Sequence, residues 1–366
     1  MTNYVTVIAV AIVFLAGFSV TEFTEAESAT HDERETDEVT EFDDLFSHER
    51  SVAIEGTDEH PIFEITSLAA NEEVIVLVDR TIPALSGLNE QGEVLYQVGQ
   101  DGEGPGDFRN PAWVGFDQQG RVASMENISR PRFQFFSPED GEHLDVMSSN
   151  IMVTGNQAFF EGEAEDQRVT FPTRATCPDR DEQQCVIEQH AVETGDVTAR
   201  FAAIDELDEN LRGLPWVLGR DEHGYSYVTH ENGGPLVGVF DSRGQLAQKI
   251  EIDDSPALEI LEYSTMPMDD VRDFWGEITS RTFSNFYSIE VHDGHIVLDH
   301  EWNGGENDGD RHLSIFSTEG EFITATPPID YELHYRDGDR FFFVENVDPR
   351  SELGKYKVHE YRYQGG

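Results

Sequence analysis

From Ile62 to the end of the chain, apolar runs of four to seven residues alternate with short polar stretches built on Asp, Asn and Gly. Such runs, bounded by turn residues, read as short strands, and grouping them by their turns gives four strands per unit. The second unit is the most regular. A glycine-rich loop, Gly99–Pro111, leads into Ala112–Phe116, the turn Asp117-Gln118-Gln119-Gly120, Arg121–Glu126, a polar loop, Arg132–Phe136, the turn Pro138-Glu139-Asp140-Gly141 and a fourth run. The first unit is expected at Ile62–Leu68, Val74–Asp79, Ala84–Asn89 and Val94–Val98. The third is expected at Ile151–Thr154, Ala158–Glu161, Cys185–Val192 and Val197–Phe201. The fourth takes Trp216–Arg220, Tyr225–His230, Leu236–Phe240 and Leu246–Ile252, and the fifth Tyr287–Val291, His295–His300, His312–Phe316 and Phe322–Ala325. The sixth has only Tyr331–Tyr335, Arg340–Glu345 and Lys355–Arg362.

Repeated four-stranded units predict an all-β, six-bladed β-propeller, with strands A to D of each blade running outward from a central channel. Blade 6 lacks an outer strand, and Ser51–Glu55, ahead of blade 1, is a spare one. Pairing the two would close the ring and remove an exposed edge. Asp and Gly recur in the A–B and C–D turns because hairpin turns need residues that accept positive φ, so their carboxylates are turn residues first. Every long insertion falls on D–A or B–C connections: Gly99–Pro111, Ala202–Gly213, Asp253–Phe286, Gly162–Gln184, Asn303–Arg311 and Asn346–Gly354. Strand direction alternates, so these share one face of the disc, and the elaborated face of a repeat fold is where binding is expected. Within the longest insertion, Ser255–Phe286, apolar residues at helical spacing (Leu258, Leu261; Val271, Phe274, Trp275, Ile278) predict one or two short helices over that face, either as a cap on apolar surface or as a lid that touches ligand.

Ahead of the repeats, Val5–Val20 is uninterrupted apolar sequence. Its length suits the core of a signal peptide occupying residues 1–26 better than a membrane span of about 20 residues; retention as an N-terminal anchor is the alternative. Residues 27–46 are acidic and poor in large apolar side chains, the pattern of a flexible spacer, which leaves 47–366 for the propeller.

Charge narrows the partners. Asp and Glu number 74 against 24 Lys and Arg, for a net charge of −50. Nucleic acid and anionic membrane surfaces are excluded, because phosphate contacts need cationic side chains. The 24 Phe, 11 Tyr and 4 Trp supply a core that a disordered acidic chain would lack. The acidic excess then reads as a carboxylate coat suited to concentrated salt, where screening shortens to about 3 Å at 1 M. The two cysteines, Cys177 and Cys185, fall in the blade 3 insertion, and in an exported chain they predict a disulfide.

Polar residues cluster at the ends of the B strands: Asp79-Arg80, Glu126-Asn127, His230-Glu231-Asn232, His300-Glu301 with Asn303, and Glu345. Of these, Arg80, Glu126, Asn127, His230, Glu231, Asn232, Glu301, Asn303 and Glu345, with Arg109, Trp275 and Arg311 on neighbouring loops, are the candidate ligand-binding set. Glu126, His230, Glu231, His300 and Glu301 could hold a divalent cation such as calcium at the channel mouth through oxygen and imidazole donors, against the alternative of local turn capping. The arginines could read an anionic ligand or pair with neighbouring carboxylates. No nucleophile elbow, phosphate loop, Cys-x-x-Cys or His-Glu-x-x-His motif is present, and no catalytic set is visible.

Gly102-Glu103-Gly104-Pro105-Gly106-Asp107-Phe108 followed by Pro111, Asp117 and Gly120, and the last blade from Phe341 through Glu345 and Leu353-Gly354 to Tyr361, resemble exported six-bladed β-propellers of the NHL-repeat and TolB-like kind. The resemblance implies the fold and the spare-strand closure but no reaction, and this sequence does not reproduce the Glu, Asn and Asp motif of the related metal-dependent lactonases. The favoured function is an exported, monomeric binding module that engages a protein, peptide or glycan on the D–A and B–C face without a cofactor. A metal-dependent lactonase- or lyase-like enzyme at the channel mouth is the alternative.

Overall fold

A computed structural model describes residues 39–126, 132–148, 157–163, 166–178, 184–203, 207, 216–231, 234, 236–252, 255, 257–258, 283–303, 309–351 and 353–365. The expected signal peptide, most of the spacer, and the expected helices across 259–282 lie outside them.

Six four-stranded antiparallel sheets form a β-propeller. Blade 1 is β2 (Ile65–Ala70), β3 (Ile75–Asp79), β4 (Ala84–Leu88) and β5 (Val94–Val98); blade 2 is β6 (Pro111–Phe116), β7 (Val122–Glu126), β8 (Arg132–Phe136) and β9 (His143–Ser148). Blade 3 is β10 (Phe159–Glu161), β11 (Arg168–Thr176), β12 (Gln184–Ala191) and β13 (Val197–Ala203); blade 4 is β14 (Trp216–Arg220), β15 (Ser226–His230), β16 (Leu236–Phe240) and β17 (Leu246–Glu251). Blade 5 is β18 (Phe283–His292), β19 (His295–Asn303), β20 (Arg311–Ser317) and β21 (Phe322–Ala325). Blade 6 is β22 (Glu332–Asp337), β23 (Arg340–Asn346) and β24 (Lys355–Tyr363), with β1 (Phe46–Glu55) as its outer strand.

The strands read as continuous apolar runs because both faces of each sheet are buried against neighbouring blades. In β3, Ile75 and Leu77 pack toward blade 6, whereas Val76 and Val78 pack toward blade 2. One apolar cluster fills each interface around the ring, including the one between blades 6 and 1, where Val52 and Ile54 join Leu68, Leu77, Phe342 and Val358. The outer strands show the contrast: β9 and β17 each bury only their fifth residue. The tight turns have the expected chemistry. Asp117 Oδ1 accepts from the backbone N–H of Gln119 and Arg121, each at 2.9 Å, and Gly120 closes the turn at φ 77°.

Two expectations are corrected. In blade 3, Phe159–Glu161 is the innermost strand rather than the second, and the second is Arg168–Thr176, within what the pattern assigns to an insertion. Pro172 hides that strand in the sequence, since proline is expected only at sheet edges and bulges. It is accommodated beyond the last residue that pairs with β10, at a register shift against β12. The expected first strand, 151–154, lies outside the described residues. At the N-terminal side, the spacer does not run to Phe46: Val39 bridges Ala325, the short helix α1 (Phe42–Leu45) follows, and Phe42, Leu45 and Phe46 are buried between blades 5 and 6.

Candidate functional site

The six innermost strands leave a central cavity of about 490 Å3. At the end carrying the D–A and B–C loops, its wall includes Tyr287, Glu301, Arg311, Glu332 and His334; at the tight-turn end it includes Phe116, Arg220, Arg336 and Asp337. Trp113 stands between, its indole lying over Gly115, where an added Cβ would come within 2.4 Å of the ring.

At the loop end, β19 and β20 place Glu301 directly across from Arg311. The Arg311 guanidinium makes a bidentate pair with buried Asp299 (Nε–Oδ1 2.8 Å, Nη2–Oδ2 2.6 Å), lies 3.5 Å from Glu332 and stacks 4.5 Å over the Tyr287 ring. His334 Nε2 sits 3.1 Å from the other Glu332 oxygen. That hydrogen bond holds the Glu332 carboxyl below the usual carboxylate range. Burial pushes Glu301 up, against the pull of Arg311 and a hydrogen bond with Tyr287. Burial also raises Glu231, and takes the Tyr287 phenol up to about 12, with Glu301 and Glu231 adding to the rise. The charged partners of Arg311 are therefore already supplied, while two carboxyls of reduced acidity flank one tyrosine. Ser288 and Thr66 belong to the cavity wall, but their hydroxyl oxygens are buried within it and have no hydrogen-bond partner among the described residues.

At the tight-turn end, Arg220 pairs with Glu161 of blade 3. Arg336 of blade 6 pairs with Glu290 of blade 5 at 3.2 Å and donates to the Arg220 carbonyl at 3.0 Å. Glu290 is pushed up by burial and drawn back by Arg336. This chain of contacts links blades 3 to 6.

Of the ligand-binding set expected from sequence, Glu301 and Arg311 line the cavity, and Glu231 lies close enough to act on Tyr287. Several of the others are engaged locally. Glu126 Oε1 accepts the Arg109 backbone N–H at 2.7 Å, and its other oxygen pairs with Arg132 at 2.5 Å. Glu345 accepts from His359 at 2.9 Å, Arg80 pairs with Glu64 at 2.7 Å, and Arg109 pairs with Glu103 at 2.6 Å. Asn303 is exposed at the end of β19. Asn127, Asn232 and Trp275 lie outside the described residues.

The five-residue metal set does not come together. His230 is wholly buried, its ring edge-on to Trp216 at 5.3 Å, and burial lowers its pKa to about 3. His300 is buried with Nε2 2.9 Å from Ser314 Oγ. Among the described residues no group of three His, Cys, Asp or Glu side chains could hold a metal ion. Cys177 and Cys185 form a disulfide, with Cα atoms 5.0 Å apart, between the end of β11 and β12.

Sequence reasoning missed Tyr287, Ser288, Glu332, His334 and Trp113. All sit on the innermost strands, and the signal available was position: strand A is the strand that borders the channel.

No protein-family model matches the sequence, and no curated protein matches it. Solved structures do resemble it. A putative exported protein from Bacteroides fragilis superposes with a TM-score of 0.60 at 11% identity, over 90% of this chain and 98% of its own. A member of the DUF4221 family from Bacteroides vulgatus does so at 0.60 and 11%, over 88% and 98%. A gluconolactonase from Xanthomonas campestris gives 0.49 at 14%, over 88% and 94%. At these identities the likeness is one of fold: a six-bladed β-propeller.

Proposed function

We propose that this chain is an exported binding module whose ligand enters the central channel from the face bearing the D–A and B–C loops. The observation that carries the reading is the cavity of about 490 Å3 with Tyr287, Glu301 and Arg311 converging at its loop end. Binding sites for small ligands occupy roughly 300–1,000 Å3 and combine aromatic walls with a few placed polar groups. A ligand of that size, or the tip of a larger one, fits better than an extended protein surface. Export rests on the apolar core Val5–Val20. Outside the cytoplasm the acidic coat would face solvent, and the Cys177–Cys185 bridge would be stable.

The test is a thermal-shift screen of the purified chain against neutral saccharides, sugar acids, short peptides and polyamines, repeated on two variant sets. Glu301→Gln and Tyr287→Phe should weaken binding of any hit, whereas the tight-turn changes Asp140→Asn and Glu319→Gln should leave it intact. Loss in the second set with retention in the first would put the site on the other face. A stoichiometric cation that survives dialysis, found by elemental analysis, would replace the binding module with a metal-dependent enzyme.

A further inference from the structure

Across blade 6, outside the wall of the central cavity, four polar side chains form a continuous hydrogen-bonded row. His48 Nε2 lies 2.8 Å from Ser51 Oγ, Ser51 Oγ lies 2.9 Å from His359 Nδ1, and His359 Nε2 lies 2.9 Å from Glu345 Oε2. The strand register builds it. Ser51 faces His359 across β1 and β24, and His359 faces Phe343 on β23, two residues before Glu345. Residues three apart point to opposite sides of a regular strand, but the register shift between His48 and Arg50 adds one residue and returns His48 to the side of Ser51. A carboxylate can only accept, so a neutral His359 carries its proton on Nε2, and its Nδ1 lone pair accepts the Ser51 hydroxyl. Ser51 in turn accepts from His48 Nε2–H. The His359 hydrogen bond, with Lys357 at 3.5 Å, holds the Glu345 carboxyl below the usual carboxylate range. His359 is buried, with the Tyr331 ring 4.9 Å from its own, whereas Ser51 and His48 are exposed.

We propose that Ser51, His359 and Glu345 form a second functional site, a serine nucleophile, its base and the carboxylate that orients the base, acting on carboxylic esters. The order nucleophile, imidazole, carboxylate activates serine on unrelated folds and is recognised by geometry and not by chain order. This site goes beyond the channel and its ligand, and neither depends on the other. Ser51 Oγ attacks the ester carbonyl carbon while its proton passes to His359 Nδ1, and Glu345 stabilises the imidazolium that forms. A donor 2.8 Å from the attacking Oγ lies beside the oxygen of the carbonyl under attack, so His48 Nε2–H is placed to stabilise the oxyanion. The adduct collapses as the C–O bond to the leaving alcohol breaks, and His359 returns the proton to that alcohol's oxygen. Water, deprotonated by His359, then releases the acid and restores Ser51. A single side-chain donor on an exposed strand stabilises an oxyanion weakly, which suits esters with good leaving groups and not amides.

The experiment treats the purified chain with a fluorophosphonate probe, maps the modified residue by peptide mass spectrometry, and follows hydrolysis of p-nitrophenyl acetate and butyrate. Expected are phosphonylation at Ser51 and a saturable turnover that Ser51→Ala and His359→Gln each lower about 100-fold or more. Glu345 is a positioning residue acting through His359, so Glu345→Gln should lower kcat about tenfold or more with KM unchanged, and Glu345→Asp should restore part of the loss. His48→Phe should lower kcat about tenfold or more by removing the oxyanion donor. His223→Gln, at an exposed tight-turn histidine, should leave turnover as it is, which separates the site from hydrolysis by surface imidazoles. Labelling needs only the parent chain, so it decides the matter even where His359→Gln lowers the melting temperature. If Ser51 stays unmodified, or if Ser51→Ala melts like the parent and keeps its turnover, the row is a clasp that fastens β1 to blade 6. The esterase inference then falls, and the channel reading is untouched.

Discussion

The polar residues at the B-strand ends divide by what they touch. Asp79 is fully buried and accepts four backbone N–H groups, from Phe63 and Glu64 at 2.6 and 3.1 Å and from Thr81 and Ile82 at 2.8 and 3.1 Å. It fastens the entry of strand A and the loop after strand B to one side chain. Asp79→Ala strands all four donors and is expected to cost about 3 kcal/mol or more, read from urea melts, whereas Asp79→Asn should cost less because one acceptor oxygen remains. His230 makes a second prediction. Burial lowers its pKa from 6.5 to about 3, so the unfolded chain takes up a proton through that interval and the folded chain does not. Its contribution to stability is complete above pH 6.5 and is lost as pH falls toward 3, at roughly 1.4 kcal/mol per pH unit. His300, buried and shifted in the same direction, adds to the effect. Glu231 has the opposite sign: its raised pKa favours the folded state in acid, and that contribution fades as pH rises past 4.5. His230→Gln should therefore flatten the fall in stability between pH 6.5 and 4 relative to the parent chain; parallel curves would remove His230 as a cause. None of this division shows in sequence, because a polar residue at the end of a B strand carries no mark of the groups it accepts from. What fixes Asp79 and Glu126 is the backbone of the D–A loop before their blade, which donates to both carboxylates.

Elements were legible where pattern and packing agree. In blades 1, 2 and 4 the expected strands lie within a few residues of those formed, because their three inner strands are largely buried and the turns between strands are built on Asp, Asn and Gly. Blade 3 failed at β11, where Pro172 and three threonines break the apolar run, although the strand is central in its sheet. In blade 5, β18 begins at Phe283 rather than at the expected Tyr287, with a register shift between Phe286 and Ser288. Tyr287 and Ser288 reach the cavity at that irregularity, so the part of the site the pattern missed is also where the strand departs from regular alternation. The N-terminal elements carry a prediction of their own. Phe42 packs on Phe46 at 4.9 Å and on Phe343 and Tyr361, and burying such side chains stabilises by roughly 1.5–3 kcal/mol each. Deletion through residue 38 should leave the melt cooperative; deletion through Phe46 should lower it by several degrees or more. Deletion through Gly56 also exposes the β24 edge and should cause aggregation. Equal melts for all three truncations would separate ring closure from stability.

For the molecule as a whole, the ring of six interface clusters has to hold against a net charge of −50. The carboxylates in tight turns and on outer strands repel one another at low ionic strength, and added salt relieves this without reaching the buried pairs. The melting temperature should rise steadily from 0.1 to 2 M KCl, and a flat or falling curve would count against a high-salt adaptation. The six-bladed propeller was legible from the turns and the strand count, apart from the strands of blade 3, but the site was not. Tyr287, Glu301 and Glu332 come from three strands in two blades, and what joins them is the curvature of the ring rather than any spacing along the chain. The pairing of β1 with β24 also has a mechanical meaning. Phe46 faces Tyr363 and Glu55 faces Lys355, so the strand that completes the last blade enters its ladder at the same corner where the final strand leaves it. A force drawn between those two points loads one rung at a time and opens the seam like a zipper, while the other blade interfaces carry none of it. A chain tethered on its N-terminal side would meet tension at this seam first, before any strand bordering the channel is disturbed.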